Sequence, residues 1–201
     1  SSQLWERQAL IKTRHVAGDA LLGKEVESIT TAFAYAKALT REDIGEIHHL
    51  RMRMERELAD ENESRFNLKK GRGGLVDIEF LTQMLQLAHG QRVPKLRQRQ
   101  TLKALKALHE ENILKSSEYR LLSDGYLFLR HLDHRLRLER DQSIDAFEAE
   151  PGRLDSIAKA LGYNGNRAKR NDAKSGQQLL RDYQSRREKL RACYERYFLA
   201  K

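Results

Sequence analysis

Proline occurs only twice in 201 residues, at Pro94 and Pro151, and nothing else in the sequence restricts the fold so strongly. Proline lacks an amide proton and clashes with the preceding helical turn, so long proline-free stretches leave the helix available almost everywhere. Those stretches are filled with Leu, Ala, Glu, Lys, Arg and Gln, the residues that lose least side-chain freedom in a helix. The expectation is an all-α fold, a bundle of about eight helices with up-and-down neighbours. With 39% hydrophobic residues, the chain can bury a core without cross-links. Its single cysteine, Cys193, cannot form an internal disulfide and sits among aromatics in a late helix. A buried or half-buried thiol and a reducing cytoplasm are expected. No apolar run approaches the roughly 18 residues of a membrane span.

Apolar periodicity places the helices. Leu4–Ala17 carries Leu4, Trp5, Ala9, Ile11 and Val16 and ends at Gly18, with Asp19 as the next cap. In 21–39 the set Leu22, Val26, Ile29, Phe33 and Ala36 recurs at three- and four-residue steps, which predicts a core-facing stripe. Thr40 offers a cap for a third helix reaching about Ala59, with Glu42 and Asp43 in its first turn. Asp60–Gly74 breaks the pattern, with a short extended piece at Arg65–Lys69. Leu75–His89, apolar on most sides and stopped by Gly90, reads as a central helix. Thr101 is expected to cap Leu102–Glu111, and Ser116 or Ser117 a long helix from Glu118 to about Arg140. A polar interruption ends at Glu150-Pro151-Gly152, a short helix covers 154–161, and a last helix covers about 177–199. The organisation expected is one helical domain over 1–201, with a core bundle at 4–140, C-terminal helices at 154–199 and a mobile loop near 163–176. The chain opens Ser1-Ser2-Gln3-Leu4-Trp5, without Met and almost at once in a helical pattern, as an excised piece of a longer polypeptide would.

The stretch with most chemical content is Phe66-Asn-Leu-Lys-Lys-Gly-Arg-Gly-Gly-Leu-Val-Asp-Ile-Glu-Phe80. Amides freed of side chains at Gly71, Gly73 and Gly74, beside Lys69, Lys70 and Arg72 at a helix start, could hold a phosphate. Equally, the glycines could supply the backbone of a tight turn while the cations are solvated. The pattern is neither the phosphate loop nor the dinucleotide fingerprint. Asp77 and Glu79 are the residue types that hold magnesium, but two positions apart on a helix they point about 200° away from each other. A structural role is expected instead: Asp77 against the helix dipole, Glu79 paired with a basic residue such as Arg72. His131 and His134 have a spacing that can meet one metal, with no third ligand placed nearby. A hydrogen-bonded or solvated face is the expectation there.

The stretch Lys70–Leu87, Lys-Gly-Arg-Gly-Gly-Leu-Val-Asp-Ile-Glu-Phe-Leu-Thr-Gln-Met-Leu-Gln-Leu, resembles the signature of the bacterial glutamine-synthetase adenylyltransferase and adenylyl-removing family. The resemblance extends through Trp5–Arg14 with Ala17-Gly-Asp19, Arg51-Met-Arg-Met-Glu-Arg-Glu57 and Tyr126–Arg135, covering most of residues 4–140. It implies a helical domain following a nucleotidyltransferase domain, in an enzyme that adds AMP to, or removes it from, a tyrosine of glutamine synthetase under control of the PII signal protein and glutamine. The forms at 51–57 and 71–77 resemble the C-terminal, adenylylating half. The family's catalytic parts, a Gly-Ser turn and an Asp-x-Asp strand for two magnesium ions, have no counterpart in this sequence. The resemblance therefore implies a chain without catalytic residues or cofactors of its own, serving a parent that uses ATP and Mg2+. Its implied partners are glutamine synthetase, the PII protein and the nucleotidyltransferase domain. The positions carried over as nucleotide- or partner-facing are Lys69, Lys70, Gly71, Arg72, Gly73, Gly74, Asp77 and Glu79. A formal charge of +9 supports an alternative of another class, a free-standing basic helical module for nucleic acid.

Overall fold

The computed structural model describes residues 2–140, 146–163 and 173–199. Eight α-helices are found among them: α1 (Ser2–Leu10), α2 (Ala20–Ala34), α3 (Arg41–Leu58), α4 (Leu75–His89), α5 (Thr101–Glu110), α6 (Ser116–Arg140), α7 (Asp155–Ala160) and α8 (Ala173–Leu199). The fold is all-α, with one small antiparallel ladder of β1 (Arg65–Asn67) and β2 (Ala146–Glu148). No described helix is long and apolar enough to cross a membrane. Two compact units are distinguished, one of residues 1–50 with 79–120 and one of 51–78 with 121–201, and the division falls inside α3, α4 and α6.

The first unit has its core along α4 and α5, where Leu81, Leu87, Leu105 and Leu108 are fully buried. Buried amides on α4 find partners: Gln83 accepts from Gln8 at 2.8 Å, and Gln86 donates to the carbonyls of Leu96 and Gln98. Asp19 caps α2 as expected, accepting from the amides of Leu21 and Leu22. The predicted core stripe of α2 does not turn inward. Leu22, Ile29 and Phe33 are 60%, 61% and 39% exposed, while Ala34 and Tyr35 enter the core beside Ile11 and Leu87. Periodicity identifies which face of a helix is apolar, but not whether anything covers it. Trp5 and Val16 are likewise exposed, and α1 ends at Leu10 rather than near Ala17.

Thr40 and Asp43 form a reciprocal cap at the start of α3. The Asp43 amide donates to Thr40 Oγ1 at 3.1 Å and the Thr40 amide to Asp43 Oδ2 at 2.8 Å. Partial burial works against the Asp43 charge, but the bonds from Thr40 prevail and hold its carboxyl below the usual range. Its stabilisation is therefore in place at neutral pH and lost as pH falls through that lowered value. Thr40→Ala should cost about 1 kcal/mol, a fall of roughly 2–4 °C in Tm for a chain of this size, measured by thermal denaturation. Thr101, expected as a cap, is instead the first residue of α5 and buried. The cap position is Gln100, whose side chain makes no cap bond.

In the second unit the ladder pairs Phe66 with Phe147, and both rings meet Tyr183 of α8 at centroid distances of 5.4 and 5.2 Å. The expected extended piece near 65–69 is thus β1; β2 lies in what reads as a polar interruption. Leu129, Leu132, Leu190, Cys193 and Tyr194 complete this core, and the thiol is fully buried. Of the loop expected near 163–176, residues 164–172 lie outside the described residues. Residues 173–176 already belong to α8, where Ser175 is buried and the Gly176 amide donates to Asp155 Oδ1 at 2.7 Å.

Candidate functional site at the glycine-rich turn

The turn at 67–77 has internal acceptors for nine consecutive amides. Those of Lys69 and Lys70 donate to Asn67 Oδ1, and that of Gly71 to the Asn67 carbonyl. The Arg72 amide donates to Glu61 Oε2 and the Gly73 amide to Asp77 Oδ2. Gly74, Leu75, Val76 and Asp77 donate to the carbonyls of Gly71, Leu68, Lys69 and Gly74. Two carboxylates of the chain, Glu61 and Asp77, thus sit where a bound anion would take amides.

The glycines are there for close packing. A Cβ on Gly71 would run into Asn67 and Glu61, one on Gly74 into three carbonyl oxygens, and one on Gly73 into the backbone of Arg187. Gly73 also has φ +65°, the left-handed conformation that glycine adopts without strain. The tight-turn reading of these glycines describes the geometry.

Around the turn, four guanidinium groups interleave with five carboxylates. Arg51, fully buried, brings Nε to 2.6 Å from Asp77 Oδ1 and Nη2 to 3.0 Å from Glu55, and donates through Nη2 to the Gly71 carbonyl at 2.9 Å. The Nε contact is out of line for a hydrogen bond, and Arg51 Nη1 has no hydrogen-bond partner. Arg191 of α8 donates to Glu195 at 2.7 Å and Glu55 at 2.8 Å, and lies 3.4 Å from Asp77. Arg187 donates to Glu61 and to the Arg72 carbonyl, with its guanidinium over the Phe66 ring. Arg72 reaches Glu195 and Glu188 at 3.1 and 3.2 Å.

Burial opposes the charge on Arg72 and Arg191, yet the carboxylates prevail and hold both guanidinium groups above their ordinary values. Arg191 first, with Arg72 assisting, keeps the Glu195 carboxyl below its usual range. Burial pushes the Tyr194 phenol upward. The charges nearly balance, so the turn is an ionic lock between α3, α8 and the start of α4 rather than an excess of positive charge.

The sequence-predicted residues divide accordingly. Asp77 is buried in this network and caps the turn. Glu79 pairs not with Arg72 but with Lys12 of α1, at 3.2 Å, because α4 turns the two acids to different sides. Lys69 and Lys70 are half-buried. His131 and His134 are exposed, while Asp133 between them is buried and accepts from Arg137 at 3.0 Å. Among the described residues, no group of three or more His, Cys, Asp or Glu could hold a metal ion. Arg51 and Glu55 lie in the stretch 51–57 that carries the family resemblance, with no role expected of them, and Glu61, Arg187, Arg191 and Glu195 have no signal in the sequence beyond the four-residue spacing 191/195.

Residues 31–198 match the family model described as GlnD PII-uridylyltransferase. The chain is 36% identical over 162 residues to the bifunctional glutamine synthetase adenylyltransferase/adenylyl-removing enzyme of Hahella chejuensis, covering 80% of the chain and 17% of that relative. It is 34% identical over 165 residues to the like-named enzyme of Rhodopseudomonas palustris (80% of the chain, 16% of the relative), and 32% over 194 residues to that of Leifsonia xyli subsp. xyli (96% and 18%). The chain thus spans about one sixth of the length of these curated relatives. With its glycine-rich turn at the start of α4 inside the matched span, the chain belongs to the GlnD PII-uridylyltransferase family and is similar, within it, to the glutamine synthetase adenylyltransferases.

Proposed function

We propose that this chain is a non-catalytic helical domain of an enzyme that adenylylates and deadenylylates glutamine synthetase, supporting an adjacent nucleotidyltransferase domain. One observation carries the reading: every amide from Lys69 to Asp77, and each of the four arginines around them, already has an acceptor within the chain. Groups so committed hold a surface in shape; they are not poised to stabilise a developing charge on a substrate. ATP and Mg2+ would be held by the nucleotidyltransferase domain, where a pair of metals can stabilise both attacking and leaving oxygens. The side chains of Lys69, Lys70 and Arg72, only partly buried, are the parts of the turn that such a domain, glutamine synthetase or a PII-type regulator would meet. A nucleic-acid module has only the net charge in its favour, and around the turn that charge is matched by carboxylates.

The purified 201-residue chain, incubated with ATP, Mg2+ and glutamine synthetase, should incorporate no AMP, read as transfer of radiolabel from α-labelled ATP. Measurable incorporation would overturn the non-catalytic reading.

A further inference from the structure

A second polar feature lies within the first unit. A pocket of about 340 Å3 is lined by Arg14, Tyr35, Arg97, Arg99, Gln100 and Lys103, with Leu10 and Ile11 at its apolar edge. No carboxylate lines it. Of its four cations, Arg99 is matched by Glu27 at 2.6 Å, whereas Arg97 donates only to the carbonyls of Gly90 and Gln91. Arg14 and Lys103 are exposed. The pocket therefore holds about three positive charges beyond those its one neighbouring acid offsets.

Two further features converge there. Helix α5, ten residues long, begins at the pocket without a side-chain cap, since Gln100 makes no cap bond. The amides of Thr101, Leu102 and Lys103 precede the first helical carbonyl bond, which is Ala104 to Gln100. They present the positive end of the helix to whatever fills the space. Independently, Tyr35 is 5% exposed and its hydroxyl has no hydrogen-bond partner. A buried hydroxyl left unpaired costs free energy, so such groups call for an explanation. Burial pushes its phenol up to about 12, against the pull of Arg97 lying 5.2 Å over the ring, so it keeps its proton and can donate.

We propose that this pocket binds a small phosphate-bearing anion, held by Arg14, Arg97 and Lys103, the uncapped amides of α5 and the Tyr35 hydroxyl. A tetrahedral, multiply charged oxyanion matches convergent donors of three kinds, and the volume suits a small molecule. This site contrasts with the turn at 67–77, whose amides the chain satisfies itself.

The test is a titration of the 15N-labelled chain with orthophosphate and with tripolyphosphate at constant ionic strength, read as amide shifts. Saturable shifts centred on Thr101–Lys103 are expected, with tripolyphosphate the tighter ligand. Combining Arg14→Ala with Lys103→Ala should weaken binding by about tenfold or more, given the strength of charge-assisted bonds. Tyr35→Phe should weaken it several-fold without lowering Tm, since it removes only an unpaired hydroxyl. Lys106→Ala, which removes one positive charge farther along α5 at an exposed residue paired with Glu110, should leave affinity unchanged. Shifts that fail to saturate, or equal affinity in the parent and the Arg14/Lys103 variant, would overturn the proposal. So would a Lys106 variant weakened as much as the pocket variants, which would mark general attraction to a basic surface.

Discussion

Arg51→Ala should be among the most damaging single changes in this chain, destabilising it by about 3–5 kcal/mol and lowering Tm by roughly 10 °C. Arg51 is fully buried, and its guanidinium faces Asp77, Glu55 and the Gly71 carbonyl at once. Truncation leaves a carboxylate that is 1% exposed with one cation fewer, and an uncompensated buried charge costs more than the pair gains when complete. Lysine cannot restore the arrangement, because one ammonium does not reproduce the fork reaching three acceptors. The combination Arg51→Met with Asp77→Asn should recover part of the loss by removing both charges together. Urea unfolding of the two singles and the double closes a double-mutant cycle. A coupling energy near zero would mean the 2.6 Å contact does not exist in solution.

Helix α4 is legible to the residue, because Gly74 and Gly90 bound a stretch that is apolar on most sides, and the capping of α2 and α3 by Asp19 and Thr40 follows from local hydrogen bonding. Local signals fail where partners are remote. Arg51, Asp77 and Arg191 are separated by up to 140 positions, and no periodicity announces that α8 delivers Arg187 and Arg191 to the start of α4. For the same reason local sequence offers Arg72 as the partner of Glu79, when Lys12 of α1 is its neighbour. The stripe on α2 is the converse case: the pattern is correct for an amphipathic helix, yet Leu22 and Ile29 face outward among the described residues. At the glycine-rich turn, residue types fit two roles, and only the fold brings Glu61 and Asp77 to the amides that an anion would need.

The sharpest test of that turn is Gly73→Ala, expected to destabilise by about 2–5 kcal/mol, combining a left-handed backbone penalty of about 1–2 with an overpacking penalty of about 1–3. At φ +65° an L side chain is strained whatever the space around it. Here there is none: the new Cβ would stand 2.8 Å from the carbonyl carbon of Arg187 and closer still to its oxygen. Backbone cannot swing aside as a side-chain tip can, and this stretch is fixed further by the Arg187 Nε bond to the Arg72 carbonyl at 2.8 Å. Relief would require α8 to move away from the turn, withdrawing Arg191 from Glu55 and Asp77. The Gly73 and Arg51 substitutions should therefore combine less than additively. Gly45→Ala supplies the internal contrast. That glycine lies within α3 with open space where a Cβ would go, so the same substitution should stabilise by about 1 kcal/mol through helix propensity alone. Chemical denaturation of the two variants should move the midpoint in opposite directions. If Gly73→Ala instead unfolds with the parent, the turn does not press against the α8 backbone, and the packing explanation for its glycines fails.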